Sequence, residues 1–415
     1  MQLFSSNGGP DVTSLLLIAT ASPGRNRGKA HVGCCSISVL NVLAATTSAM
    51  RTAPISVRLE SSGVKRMTTS SQPLVSVVTP AYNEEEHLAE CIESVLAQTY
   101  QNWDYTIVNN CSKDKTLEIA LKYAAKDPRI RVHDNEQFFE MLANHNLALR
   151  QISPASKYCK VVLADDWIFP DCLEKMVAVA EAYPSAGIVS SYQLHGQQVR
   201  STGLPYSQRL VSGRETCRNF LLETLVLFGT QNSVLYRSNL VRNRNPFYDV
   251  TDVCCADFEA CFALLKTSDL GFVHQVLTFS RPRPQSIGAI SWDMGASFGS
   301  LLGILLAYGK ECLSRDEFRA RLDLQLSQYY RFLGRRLLIE RDPAFWSYHK
   351  RTFERLGFNY SRARVTMAAV GQLWGSVLDP KSTLASIGRL FSLRKIRNLE
   401  MRKVVFGFRK RHNRG

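Results

Sequence analysis

Two adjacent carboxylates, Asp165 and Asp166, follow the apolar run Val161, Val162, Leu163 with only Ala164 between. Like charges side by side at the end of a buried run are costly unless water or a cation neutralises them. One reading is a hydrated loop pair that helps to start the next helix near Pro170. The other is a divalent site: Mg2+ or Mn2+ takes oxygen ligands and needs only one or two carboxylates when substrate phosphates supply the rest. Asn109 and Asn110 end a second apolar run; their amides suit the edge of a nucleotide base, or equally a strand-end turn. Tyr82 offers a ring and a hydroxyl. Asp257 opens a helix-like stretch, Phe258 to Leu265, with Asp252 and Glu259 nearby. A carboxylate there could serve as a general base, or simply as a first-turn acid. Neither G-x-x-x-x-G-K-[ST] nor G-x-G-x-x-G is present, which disfavours a P-loop enzyme and a dinucleotide dehydrogenase. A nucleotide bound here would need a metal for its diphosphate.

These residues fall where strands should end. Leu74–Thr79 is a buried-strand run, and Leu88, Ile92, Val95 and Leu96 then recur on one helical face. Asn83 and Glu86 have the spacing of a capping box for that helix. The alternation continues with strands at Tyr105–Val108, Ile130–His133, Lys160–Leu163 and Gly187–Ser191, and helices at about 113–125 and 138–150. Strands alternating with helices predict an α/β fold: a Rossmann-like, mostly parallel sheet with helices on both faces. Ligands of such sheets bind at the carboxyl ends of the strands, so the three clusters should converge on one cleft.

The chain has 415 residues and a net charge of +15, but the excess is not spread evenly. Residues 1–73 carry seven basic and two acidic side chains, and 389–415 carry ten basic and one acidic. The remainder is almost neutral, which argues against a specific nucleic-acid binder. Eleven cysteines lack the dense spacing of a disulfide scaffold and include no C-x-x-C pair, so free thiols and no structural metal are expected. No apolar run is long and clean enough to predict a membrane span.

Five segments, in order, resemble the family 2 glycosyltransferases, the inverting GT-A group. They are VSVVTPAYNEEEHLAECIESVLAQTY (75–100), TIVNNCSKDKT (106–116), VVLADDWIFPDCLEKM (161–176), FGTQNSVLYRS (228–238) and CCADFEACFALL (254–265). The resemblance implies a GT-A fold, with Pro80, Ala81, Tyr82, Glu84, Asn109, Asn110 and Asp165 binding a nucleotide-sugar donor and Asp166 as the metal ligand. It implies Asp257 as the base and Gly229 to Ser233 as a loop near the acceptor. Asn109 and Asn110 stand where the family often has two Asp, and Arg281-Pro282-Arg283-Pro284 stands where a late His is common. A catalytically silent GT-A-like glycan or nucleotide binder is the alternative.

Four segments are expected: 1–73, a disordered or spurious extension with Met67 as a possible start; 74–285, the glycosyltransferase domain; 286–388, a helical appendage; and 389–415, a basic amphipathic tail. In the appendage, Ser314 and Glu317 have capping-box spacing, and Phe318, Leu322, Leu326, Tyr329, Leu333 and Leu337 make one stripe, expected to pack as core. The tail suits an anionic membrane surface. The resemblance and the tail together imply a glycan or lipid-linked acceptor, cell-surface polysaccharide synthesis, and a cytoplasmic location, peripheral on the inner face of the plasma membrane.

Overall fold

The computed structural model describes residues 72–378, apart from 252–253, 284–285 and 338. The extension before residue 72 and the basic tail 389–415 lie outside the described residues.

The elements run in the expected alternation. The first half holds β1 (Val75–Ala81), α1 (Leu88–Leu96), β2 (Trp103–Asn109), α2 (Thr116–Ala124), β3 (Ile130–Asp134), α3 (Met141–Arg150), β4 (Tyr158–Val161), β5 (Trp167–Ile168), α4 (Cys172–Ala182) and β6 (Ala186–His195). Then come β7 (Gln198–Arg200), β8 (Leu210–Val211), α5 (Gly213–Leu221), β9 (Val234–Arg237), α6 (Ser238–Arg242), α7 (Ala256–Leu265) and β10 (Asp269–Ser280). The sheet order is β3-β2-β1-β4-β9-β6-β10-β5, with β7 beside β6 and β8 beside β10. β1 is parallel to β2 and β4, β2 to β3, and β6 to β10. β9 is antiparallel to both β4 and β6, so those two run the same way and the parallel sense survives across it.

Alternate strand residues face opposite sides. Val77, Tyr105 and Ile107 join α1 and α4 in one core, while Val78 and Val108 join residues of α3 and α7 in the other. Pro80 lies within β1, where a missing N–H would break a central ladder. It is tolerated because β4 pairs with β1 only from Val75 to Val78, and by Pro80 the neighbour on that side has gone. This explains why the strand runs two residues past the expected Thr79.

The capping box expected at Asn83 and Glu86 does not form. α1 begins at Leu88, and its N-cap, His87, makes no side-chain cap bond. Asn83 instead has φ +53°, a left-handed conformation that Asn tolerates. The box at Ser314 and Glu317 does form: Ser314 N–H donates to Glu317 Oε2 at 2.9 Å, and Glu317 N–H to Ser314 Oγ at 3.3 Å.

After β10 the chain is helical: α8 (Ile287–Asp293), α9 (Ala296–Cys312), α10 (Arg315–Leu337), α11 (Pro343–Arg355) and α12 (Arg362–Leu378). α9 belongs to two cores. Ile304, Leu305 and Cys312 pack with α7 and the sheet, and Leu302 packs with Tyr329, Leu333, Phe345 and Phe353. The α10 stripe is used as core from Phe318 to Leu333, whereas Leu337 is partly exposed. Among the described residues no helix is long and apolar enough to cross a membrane, and no disulfide forms.

Candidate functional site

The loops after β1 and β2 are sewn together. Asn83 N–H donates to Ser112 Oγ at 3.1 Å and Lys113 N–H to Asn83 Oδ1 at 2.8 Å. Glu84 N–H donates to Thr116 Oγ1 at 2.7 Å, and Glu85 N–H to Asp114 Oδ2 at 3.0 Å. Side chains here satisfy backbone groups that neither strand nor helix can reach. Cys111 sits in the same seam at φ +56°, a costly backbone for a residue with a Cβ.

Across this seam lies a carboxylate cluster drawn from two loops, after β1 and β4, and met by arginines from a third, after β10. Asp166 is buried, and its Oδ1 accepts the N–H of Arg281 at 2.8 Å. Its Oδ2 is buried with no hydrogen-bond partner. Burial, reinforced by the charge of Asp165, pushes the Asp166 carboxyl well above the usual range, against the N–H and guanidinium of Arg281 and the guanidinium of Arg283. Arg283 places Nη1 and Nη2 on Glu84 Oε1 and Oε2 at 2.7 and 2.6 Å, and its Nε lies 3.2 Å from Asp165 Oδ2. Arg281 donates through Nε to the Asp165 carbonyl at 3.2 Å and through Nη2 to Glu90 Oε2 at 2.6 Å. Burial raises the Glu84 carboxyl, and its bonds to Arg283 oppose that rise.

The orphaned oxygen of Asp166 gives a direct test of whether a divalent cation fits. A buried carboxylate oxygen without a donor favours a cation, and the donor set is all oxygen. Among the described residues no group of three or more His, Cys, Asp or Glu is arranged as a cage. The residues therefore fit a metal that takes one protein carboxylate and fills its sphere with phosphate and water.

The Asn pair departs from the expectation that both amides face a base. Asn110 is spent on protein: Nδ2 donates to the Phe139 carbonyl at 2.7 Å, and Oδ1 accepts from Phe139 N–H at 2.9 Å and Asn135 Nδ2 at 3.1 Å. It anchors the loop between β3 and α3 rather than presenting an edge. Asn109 donates to Asp134 Oδ1 at 2.7 Å, and its own Oδ1 is buried without a donor. Pro80 and Ala81 are buried strand residues beneath this loop, and the Ala81 carbonyl takes the N–H of Asn110. Tyr82 is exposed, its ring edge-on to exposed Phe138 at 5.0 Å between centroids. Phe138 escapes the sequence pattern because it looks like a first-turn residue of α3, which in fact starts at Met141.

Asp257 lies on the other flank. A short turn joins α7 to β10, so α7 runs back along the sheet and its first turn, with Asp257, lies at the edge where the parallel strands end. Asp257 is half-buried, its Oδ1 accepts the Phe258 N–H at 2.9 Å, and its charge helps to hold the Tyr236 and Tyr248 phenols protonated. The 229–233 loop enters β9 at the same edge. Gly229 N–H donates to Ser233 Oγ at 3.2 Å, and Asn232 Nδ2 bonds the Phe279 carbonyl at 2.8 Å. Fully buried Lys160 donates to the Asn232 and Val234 carbonyls, and burial brings its pKa down to about 8. His145 shares a hydrogen with Gln231 Oε1 at 3.0 Å, and burial lowers its pKa to about 4, leaving the ring neutral at pH 7. Neither Lys160 nor His145 stands out in sequence, since both partners lie in the 231–234 segment, far along the chain.

Residues 76–244 match the family model for Glycosyl transferase family 2. The putative glycosyltransferase EpsE of Bacillus subtilis is 37% identical over 126 residues, which are 30% of this chain and 45% of that protein. The putative teichuronic acid biosynthesis glycosyltransferase TuaG of the same organism is 33% identical over 129 residues, 31% of this chain and 50% of that protein. The chain thus spans about half the length of these curated relatives. Among solved structures, Staphylococcus aureus TarS 1–349 in complex with UDP-GlcNAc superposes with a TM-score of 0.51 at 16% identity, over 72% of this chain and 88% of that one. That likeness concerns the fold alone. Residues 76–244 are thus similar to glycosyl transferase family 2, and the chain is built on a GT-A fold.

Proposed function

We propose that the chain transfers a sugar from a nucleotide-sugar donor to a hydroxyl of a glycan or lipid-linked acceptor, with inversion, in the synthesis of a cell-surface polysaccharide. The observation that carries this reading is Asp166, whose buried and unpartnered oxygen sits among Glu84, Asp165 and two arginines at the carboxyl edge of a GT-A sheet. Asp166 would hold a divalent cation, Mg2+ or Mn2+, with Asp165 beside it. Bound there, the cation supplies Lewis-acid stabilisation of the diphosphate.

The chain's own groups account for the rest. Tyr82 and Asn109 flank the base, with Asn110, Pro80 and Ala81 fixing the floor under it, and Glu84 and Asp165 face the ribose and diphosphate. Asp257 accepts the proton of the acceptor hydroxyl; the acceptor oxygen bonds to the anomeric carbon while the bond from that carbon to the diphosphate oxygen breaks. The nucleoside diphosphate leaves and the configuration inverts. The bond from Phe258 N–H to Asp257 Oδ1 holds this carboxylate in place. The name of TuaG, a putative teichuronic acid biosynthesis glycosyltransferase, supports a surface-polysaccharide setting, and the basic composition of residues 389–415 supports work at the inner face of the plasma membrane.

The test is thermal stability against UDP-, GDP-, dTDP- and CMP-sugars with and without Mn2+, followed by detection of released nucleoside diphosphate. A metal-dependent shift with one donor, lost in Asp166→Ala, is expected. Binding without release, across a panel of glycan acceptors, would instead establish the silent binder.

A further inference from the structure

The site carries a cation of its own. Arg283 forms a fork on Glu84, with both terminal nitrogens within 2.7 Å of carboxylate oxygens, and its third nitrogen reaches Asp165. Both carboxylates and the guanidinium are half-buried, so the contact is neither a solvent-screened surface pair nor a sealed core pair. Asp165 adjoins Asp166, whose unpartnered oxygen is where the proposed cation would bind. A diphosphate reaching a metal on Asp166 must therefore come close to the guanidinium of Arg283. The same fork geometry that matches a carboxylate matches a phosphate.

Building on the donor-site reading above, we propose that Arg283 is a diphosphate-binding residue that rests on Glu84 and Asp165 in the ligand-free chain and transfers to the donor's diphosphate on binding. Charge supports the transfer. Glu84, Asp165 and Asp166 converge here from two loops, and an incoming diphosphate adds further negative charge. A divalent cation at Asp166 answers part of it, and Arg283 is the permanently charged group placed to answer the rest. The backbone favours a short reach over a large rearrangement. Arg281 is pinned by its N–H on Asp166 and its side chain on Glu90, and Pro282 fixes the next φ, so Arg283 moves mainly through its side-chain torsions. Glu84 then acts as the resting partner that competes with the donor for the guanidinium.

The experiment compares equilibrium binding of uridine, guanosine and thymidine diphosphates with that of the matching monophosphates, to wild type, Arg283→Ala, Arg283→Lys and Glu84→Gln, in Mn2+ and in EDTA. Arg283→Ala should weaken diphosphate binding at least tenfold and monophosphate binding less than threefold. Arg283→Lys should recover part of the loss, since a point charge remains without the fork. In EDTA the wild type should still bind diphosphate more tightly than Arg283→Ala does. Glu84→Gln should improve the preference for diphosphate over monophosphate, which tests the same exchange without touching Arg283. Equal loss of both nucleotides in Arg283→Ala would mean a structural role and overturn the proposal, as would unchanged diphosphate binding. Failure of wild type to bind any nucleotide in either condition would overturn the donor-site reading itself.

Discussion

Asp166 makes a prediction whose sign is set by burial. Its carboxyl holds a proton in the folded chain at pH values where the unfolded chain, with its ordinary value near 3.8, has released it. The folded state therefore binds one proton more across that window. Stability must fall as pH rises through it, with a slope of about 1.4 kcal/mol per pH unit where the proton difference is complete. The loss begins near pH 4 and ends above the raised folded value, so below pH 4 this group leaves stability unaffected by pH. Asp166→Asn has no proton to hold. Its Oδ1 can keep the Arg281 N–H, while its amide meets the position that lacks a partner. Whatever fixed amount that amide adds or removes, the difference between wild type and variant must vary with pH.

The assay is denaturant unfolding of both proteins in EDTA at half-unit steps from pH 4 to 8. The wild type should lose stability relative to Asp166→Asn with rising pH, approaching about 1.4 kcal/mol per unit at its steepest. Adding Mg2+ or Mn2+ at about a hundred times its dissociation constant at pH 7.5 should return about 2.7 kcal/mol to the wild type and nothing to the variant. Parallel pH profiles would refute the argument that Asp166 is held protonated by burial. An equal response of both proteins to metal would refute Asp166 as the ligand.

Three further outcomes follow from the geometry. Asp257→Asn keeps an oxygen for the Phe258 N–H, so unfolding stability should change by less than about 1 kcal/mol while transfer falls by about 10²–10⁴ and donor affinity holds within twofold; near-normal turnover would remove Asp257 as the base. Asn110→Ala leaves the Phe139 N–H and carbonyl without this partner, and Asn135 Nδ2 with Asn144 Oδ1 alone, and should cost about 2–3 kcal/mol in denaturant unfolding, with no change in the rank order of nucleotide bases bound. Cys111→Gly relieves a left-handed residue and should stabilise the chain by about 0.5–1 kcal/mol after the extra backbone freedom of glycine in the unfolded state is counted; a lower melting temperature would show that the Sγ bond to the Asn135 carbonyl at 3.1 Å matters more.

What the sequence made legible is what short-range pattern controls. The run from Val75 and the stripe Leu88, Ile92, Val95 specify a strand and the buried face of α1 without knowledge of any partner. The Asp pair and the Asn pair were placed at strand ends by the same periodicity, and the sheet brought both to one edge. Spacing misled where a local pattern has two uses. Asn83 and Glu86 have capping-box spacing, yet Asn83 is taken by Lys113 and Ser112, thirty and twenty-nine residues on. Asn110 has the chemistry of a base reader, yet the Phe139 backbone 29 residues away and the Asn135 side chain take it up.

The Arg283 fork to Glu84 joins residues 199 apart, and no periodicity in either segment encodes it. Such contacts follow from topology. β10 runs parallel to β6, and its end delivers Arg281 and Arg283 to the edge where β1 delivers Glu84 and β4 delivers the Asp pair. Three acidic groups can share that edge because the chain brings basic ones to it last. Removing either arginine should therefore matter most when a further anion arrives, and the diphosphate of the proposed donor is such an anion.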